Sequence, residues 1–177
     1  MKSDQELIEA INDGSQEAFE TLYYRYRDWV VNLAWRFTGS RNDALDVLQE
    51  TFAYFMGKFP GFKLTCSLTT FLYPAVKHIS LNIRSKNKHF VSENDVSVEI
   101  IDPKGNIAGS YSTELAAVLK FLPVELREVL LMKYFDDMSH EEISEALNTP
   151  LGTVKSRLHR ALRILRQDAR TRSYFIE

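Results

Sequence analysis

The chain has 177 residues, 45% of them hydrophobic, with 22 Lys and Arg against 24 Asp and Glu. This length fits one or two globular domains, and the low numbers of Gly (7) and Pro (5) disfavour a collagen-like, low-complexity or turn-rich β protein. No apolar run is long enough to span a bilayer, and the acidic N-terminus is unlike a signal peptide, so we expect a cytoplasmic protein without membrane insertion.

The residues that usually carry metal or covalent chemistry are sparse. There is one cysteine, Cys66, and the four histidines are scattered without metal-ligand spacing. We also find no phosphate-binding glycine loop and no nucleophile with a paired base. The sequence therefore predicts no metal and no cofactor, and it disfavours an enzyme.

Apolar residues recur at helical spacing through most of the chain, which predicts an all-α fold. A short helix with Leu7, Ile8 and Ile11 precedes a long one that Ser15 caps and Gly39 ends. Ser40 caps a third helix, for which the predicted inward residues are Leu45, Leu48, Phe52 and Phe55. A fourth helix is predicted from about Thr69 to Lys86. Pro74 lies inside it, so this helix either kinks or starts later.

Residues 88–112 lose the helical period and are rich in Ser, Asn, Asp, Pro and Gly, apart from a weak strand-like patch at 96–101. Such a segment is too long for an ordinary loop within one compact domain. The sequence therefore predicts two small helical domains, residues 1–87 and 113–177, joined by a flexible linker at residues 88–112.

The second domain carries the pattern of a helix-turn-helix. Ser139 and Glu142 have the spacing of a capping box at the start of a short helix. Asn148 suits a left-handed turn, and Thr149-Pro150 is predicted to cap and start the last helix. A short helix, a tight turn and a basic helix together predict a DNA-binding unit.

Charge in this domain is strongly divided along the chain. Residues 113–150 hold three basic and eight acidic side chains, whereas residues 151–177 hold seven basic and two acidic ones. With Val154, Leu158, Ala161 and Leu165 inward, the outward residues of the last helix are Lys155, Ser156, His159, Arg160 and Arg163. Side chains of these types can donate to base edges in the major groove. The alternative is a solvated basic helix packed beside an acidic neighbour.

Three segments of the second domain, Leu122–Leu130, Ser139–Ile143 and Gly152–Ala161, closely resemble region 4 of sigma-70-type sigma factors, in particular the extracytoplasmic-function (ECF) group. The GTVKSR motif alone would also fit a LuxR-type regulator. Two segments of the first domain, Glu17–Tyr23 and Asp43–Phe52, resemble region 2 of the same group in the right order. The resemblance implies a sigma factor that binds core RNA polymerase and directs promoter-specific initiation.

The resemblance also implies roles for individual residues. Those expected to bind core polymerase are Asp43, Asp46, Gln49 and Glu50, for which the alternative is a plain solvated face. Lys155, Ser156, His159 and Arg160 are expected to read the duplex −35 element, with Thr153, Arg157 and Arg127 near its phosphates. The residues expected at the melted −10 element are Phe62, Lys63, Thr65 and Ser67 in a base-capturing loop, and Lys77, His78, Asn82 and Arg84 on the following helix.

The segment Phe71–His78 departs from the family pattern, since Pro74 replaces a basic residue, His78 replaces an Asn, and the later Asn82 replaces an Asp. The departures from the family pattern therefore lie in the helix that the resemblance assigns to the −10 element. The linker could pass through the polymerase, as family linkers do, or act as a plain tether. An anti-sigma factor is an expected partner.

The competing hypothesis is an autonomous helix-turn-helix regulator that dimerises through its first domain and binds duplex DNA without polymerase.

Overall fold

The computed structural model describes residues 2–88 and 118–171, and the regular elements within them are α-helices without any strand. Helices alone confirm the predicted all-α class. The chain divides into two compact units, Met1–Asp95 and Val96–Glu177. The predicted linker, apart from Lys88, and its strand-like patch at 96–101 lie outside the described residues.

The first unit contains four helices within the described range, α1 (Asp4–Asn12), α2 (Gln16–Thr38), α3 (Arg41–Met56) and α4 (Leu68–Lys88). The predicted caps are confirmed, because the hydroxyls of Ser15 and Ser40 accept hydrogen bonds from backbone amides in the first turns of α2 and α3. Gly39 ends α2 with φ 71°, a left-handed conformation that costs glycine little.

The core of this unit lies where α2, α3 and α4 meet. Its fully buried residues include Leu22, Val30, Leu33, Val47, Phe55, Leu72 and Val76. At its edge, α1 is fastened to α2 by polar contacts, since Asp4 accepts hydrogen bonds from the guanidinium of Arg25 and from the hydroxyl of Tyr26.

One predicted core position of α3 is wrong. Leu45 is 42% exposed, whereas Val47, which the prediction left out, is completely buried. Leu45 has the correct spacing to Leu48, but the face that packs against α2 and α4 is centred on Ala44, Val47 and Phe55. An apolar side chain therefore lies on the outer surface of α3.

Pro74 lies inside α4, which begins at Leu68. The alternative of a later start is therefore wrong. The side chain of Ser67 accepts a hydrogen bond of 3.3 Å from the backbone amide of Thr70 and so caps the first turn of α4. Pro74 itself is exposed, so its ring occupies no space in the core.

In the second unit, a helical turn at residues 118–121 precedes α5 (Val124–Tyr134), α6 (His140–Ala146) and α7 (Leu151–Gln167). The three helices enclose a core that includes Val129, Met132, Ile143, Val154 and Ala161. Among the described helices of both units, none combines the length and the apolar character that a membrane span requires.

The turn of the helix-turn-helix follows the prediction closely. Ser139 and Glu142 form the predicted capping box, with backbone-to-side-chain hydrogen bonds of 2.8 and 3.1 Å. Asn148 has the predicted positive φ, 46°. The start of α7 lies one residue later than predicted, because Pro150 is the N-cap and the hydroxyl of Thr149 donates to the carbonyl of Leu147.

Candidate nucleic-acid interface

The last helix, α7, has one apolar face and one basic face. Val154, Leu158, Ala161 and Leu165 are buried against the rest of the unit. The outward side chains are all exposed, as the sequence predicted for Lys155, Ser156, His159 and Arg160. They are donors of the kind that bind guanine O6 and N7 and other acceptors in the major groove. The structure therefore places all four candidate base-reading residues on one accessible surface.

The backbone at the start of α7 can be approached closely by another molecule. Gly152 is exposed, and a Cβ added to it would meet no atom within 4 Å beyond its chain neighbours and the backbone of its own helix. Thr153 and Arg157 are half-buried and flank the exposed face. The hydroxyl of Ser156 donates to the carbonyl of Thr153 at 2.9 Å, an internal bond that a base edge would have to displace or share.

Arg127 does not lie where the resemblance puts it. Its side chain is only 5% exposed, and Nη2 donates to the carbonyls of Lys120 at 2.8 Å and Leu122 at 2.9 Å. Burial lowers the pKa of this guanidinium, because it disfavours the charged form. A side chain held inside the unit cannot reach a phosphate. The predicted phosphate contact of Arg127 is therefore corrected to a structural role that ties α5 to the preceding helical turn.

In the first unit, the loop between α3 and α4 is held in place by a residue far away in the sequence. Oδ1 of Asn12, the last residue of α1, accepts hydrogen bonds from the backbone amides of Gly61 at 2.6 Å and Phe62 at 3.1 Å. Its Nδ2 donates to the carbonyl of Phe62 at 2.8 Å. Gly61 has φ 97°, which only glycine adopts easily. Asn12 was not predicted as a site residue.

The four candidate residues of this loop divide into two kinds. The ring of Phe62 is half-buried, with centroids 4.8 Å from Phe71 and 5.5 Å from Phe55, so it anchors the loop. Ser67 caps α4 and therefore also serves the fold. Lys63 and Thr65 are exposed and available to a nucleic acid.

The candidate residues of α4 are also unequal in exposure. His78 and Asn82 are exposed, one turn apart, and joined by a hydrogen bond of 3.0 Å between Nε2 and Nδ2. Lys77 is half-buried. Arg84 is half-buried as well, and its Nη1 donates to the carbonyl of Phe37 at 3.0 Å, which ties α4 to the end of α2.

Three of the four acidic or amide residues predicted to bind core polymerase border a shallow groove on α3. Asp46, Gln49 and Glu50 are exposed and line this groove of about 310 Å³, which Ile83, Lys86 and Asn87 of α4 complete. Asp43 is half-buried, and its carboxylate accepts a hydrogen bond from Asn87. The structure therefore brings the predicted polymerase-binding residues together, and it adds the end of α4, which the sequence did not indicate.

Comparison with known families matches both units. Residues 22–90 match the model of sigma-70 region 2, and residues 112–165 match that of sigma-70 region 4. An ECF RNA polymerase sigma-E factor of Haemophilus influenzae is 30% identical, over 90% of this chain and 91% of that protein. The chain belongs to the ECF group of the sigma-70 family. It is an RNA polymerase sigma factor, and the autonomous-regulator hypothesis is not favoured.

Other relatives of this sigma factor agree with the assignment. The ECF RNA polymerase sigma factor SigW of Bacillus subtilis is 27% identical, over 92% of this chain and 95% of that protein. Among solved structures, CnrH in complex with the cytosolic domain of CnrY has a TM-score of 0.65 and 23% identity over 92% of this chain. RpoE of Bartonella quintana, in complex with the anti-sigma factor NepR, has a TM-score of 0.63 and 18% identity over 84% of this chain. These structures share the fold of the sigma factor.

Proposed function

We propose that this sigma factor reads the −35 element through α7 and the melted −10 element through the α3–α4 loop and α4. The observation that carries the proposal is the exposed face of α7, where Lys155, Ser156, His159 and Arg160 stand together beside the open start of the helix at Gly152. In a helix-turn-helix, the early residues of the second helix meet base edges in the major groove.

In the duplex, Lys155 and Arg160 suit contacts to guanine, and Ser156 and His159 can donate to other base acceptors. Thr153 and Arg157 flank this face and serve phosphates, which fix the register of the protein on DNA without reading its sequence. The absence of acidic residues throughout α7 supports this assignment, because a carboxylate there would repel the phosphates.

At the melted −10 element, the exposed side chains of Lys63 and Thr65 contact a flipped base, and the fixed backbone of Phe62 gives the loop its shape. Flipping a base costs a few kcal/mol, so a loop that is already ordered is an advantage. His78 and Asn82 lie on the exposed face of α4 and extend the contact along the strand, with Lys77 at its edge. Arg84 and Ser67 position the helix.

The α3 face carries the contact with core RNA polymerase in this proposal. Asp46, Gln49 and Glu50 are exposed in one groove, and Asp43 is held at its end. We infer that the sigma factor is a non-catalytic, cytoplasmic subunit. We also infer that an anti-sigma factor restrains it, because both solved relatives of similar fold were captured with such a partner or with the cytosolic domain of another protein.

The decisive experiment measures binding of the purified sigma factor to core RNA polymerase. Changing Asp46, Gln49 and Glu50 together to Ala should abolish tight binding. A matched control changes Gln16, Glu17 and Glu20 to Ala, since these residues are also exposed, on α2, and of the same chemical types. Equal loss in both variants would argue for a general charge effect. If neither the parent nor the variants bound core while the parent held duplex DNA alone, the autonomous regulator would replace this proposal.

A further inference from the structure

Tyr54, near the end of α3, is a large aromatic side chain that remains 43% exposed. The ammonium of Lys58 lies 4.3 Å from the centroid of its ring. An exposed ring covered by a flexible cation is a pairing that nucleic acids can use, since a base stacks on the ring and the cation meets a phosphate. Neither residue has a role in the function proposed above.

The ring of Tyr54 has a fixed position relative to the candidate −10 loop. It is nearly parallel to the ring of Phe71, with an interplanar angle of 17° and centroids 6.3 Å apart. Phe71 in turn packs against Phe62, at 4.8 Å between centroids. Because Asn12 holds the backbone of Phe62, a continuous chain of contacts joins Tyr54 to the loop. A ring that is already ordered loses little entropy when a base stacks on it.

The aromatic ring of the α3–α4 loop is not available to stack on a base. The ring of Phe62 is engaged with Phe55, Phe59 and Phe71, so it anchors the loop instead of offering a free face to a base. Lys58 and Lys63 are both exposed and lie on either side of Phe59–Phe62 in the sequence. Their positive charges favour a phosphate backbone near the loop, whereas the negative charge of Glu50, one turn before Tyr54, disfavours a phosphate backbone nearer the start of α3.

We propose that Tyr54 and Lys58 form a stacking contact for an unpaired base of the melted promoter strand, next to the base captured by the α3–α4 loop. This inference rests on the proposed role of the loop in −10 binding. In the free protein the long stem of Lys58 lets its ammonium cover the ring. When DNA binds, the ammonium moves to a phosphate, and the base takes its place on Tyr54.

The test uses the full-length sigma factor assembled with core RNA polymerase and a fluorescein-labelled single-stranded DNA of random sequence. Stacking tolerates any base, so a random pool is a suitable probe. Tyr54→Ala should weaken binding at least about fivefold, whereas Tyr54→Phe, which keeps the ring, should bind like the parent. In a second readout, bromodeoxyuridine in the strand should photo-crosslink to Tyr54 in the parent assembly.

The matched control is Tyr24→Ala, because Tyr24 is 63% exposed and also carries a cation, the guanidinium of Arg27 at 5.3 Å, but lies on α2. Binding to core polymerase and the melting temperature are measured for every variant. Unchanged DNA affinity of Tyr54→Ala, together with no crosslink to Tyr54 in the parent assembly, would overturn the inference. A loss confined to core binding would also overturn it, since it would assign the patch to a protein contact. If the parent assembly bound the strand no better than core alone, the proposed −10 function itself would fail.

Discussion

Asn87, at the end of α4, donates a hydrogen bond from Nδ2 to Oδ1 of Asp43, in the first turn of α3, at 3.1 Å. Tyr54 and Phe71 meet at the opposite end of the same two helices. The helices therefore run antiparallel, and the bond joins the proposed polymerase-binding face to the helix proposed to hold melted DNA. Asp43 thus differs from Asp46 and Glu50, which are exposed and line the groove.

This difference predicts that Asp43 contributes to folding as well as to binding. Asp43→Ala removes an acceptor and a negative charge favoured near a helix N-terminus, so the free energy of unfolding should fall by about 0.5–1.5 kcal/mol. Asp46→Ala should change it by less than about 0.5 kcal/mol. Both variants should bind core polymerase more weakly. Urea unfolding separates the two effects, and equal stability of the two variants would contradict a structural role for Asp43.

The hydrogen bonds of Asn12 predict a distant effect on the loop. Asn12→Ala leaves the backbone groups of Gly61 and Phe62 without this partner, so we expect a loss of about 1–3 kcal/mol in stability and weaker binding of single-stranded −10 DNA. Asn12→Asp keeps the acceptor oxygen but not the Nδ2 donor and should give an intermediate loss. Binding to duplex −35 DNA, measured in parallel, should stay constant, because α7 belongs to the other unit. A parallel loss of −35 binding would show that the effect is not confined to the loop.

Replacing two arginines of the second unit by Ala should have different effects, one on the stability of the fold and the other on DNA binding. Arg127→Ala removes a buried guanidinium from two carbonyl acceptors, and thermal unfolding should reveal a loss of at least about 1–3 kcal/mol. Arg160→Ala should leave stability within about 0.5 kcal/mol but cost roughly 1–3 kcal/mol in −35 binding and relax specificity at one base pair. Unchanged promoter selectivity would remove Arg160 from the reading set.

Asp168, just after α7, is predicted to titrate at unusually low pH. Hydrogen bonds from the side chain and backbone of Arg170 lower the pKa of its carboxyl from 3.8 to about 2. Because the folded-state pKa lies below that of the unfolded chain, the contribution to stability is complete above pH 4 and disappears as the pH falls towards 2. Carbon NMR of the Asp168 carboxyl should give this low value in the parent and one near 3.8 in Arg170→Ala. A normal pKa in the parent would mean that the pair does not persist in solution.

The sequence predicted those parts of the structure that depend on neighbours along the chain. The caps at Ser15, Ser40 and Ser139, the stop at Gly39 and the turn at Asn148 each depend on residues within a few positions. The two faces of α7 were also predictable, because its apolar residues repeat without interruption. The error at Leu45 arose where two overlapping stripes, through Leu45 or through Val47, both satisfy helical spacing, and only the packing of α2 and α4 decides between them.

The remaining features depend on residues that are distant in sequence. Asn12 and Phe62 are separated by 50 positions, and no local pattern shows that the end of α1 meets this loop. The resemblance to region 4 assigned Arg127 to phosphates, but backbone carbonyls at Lys120 and Leu122 offer it partners inside the unit. Asn87 was also not predicted, because its acceptor, Asp43, is distant in sequence and belongs to another helix.

The division of α7 into two faces has a consequence for how such proteins diversify. Folding of the second unit depends on Val154, Leu158, Ala161 and Leu165, whereas four side chains between them, those of Lys155, Ser156, His159 and Arg160, are exposed. Exchanges at Lys155, Ser156, His159 or Arg160 therefore cost the fold little. With the proposed −35 role of this surface, a duplicated gene copy would acquire a new set of target genes by a few substitutions there, while the scaffold that presents it stays intact.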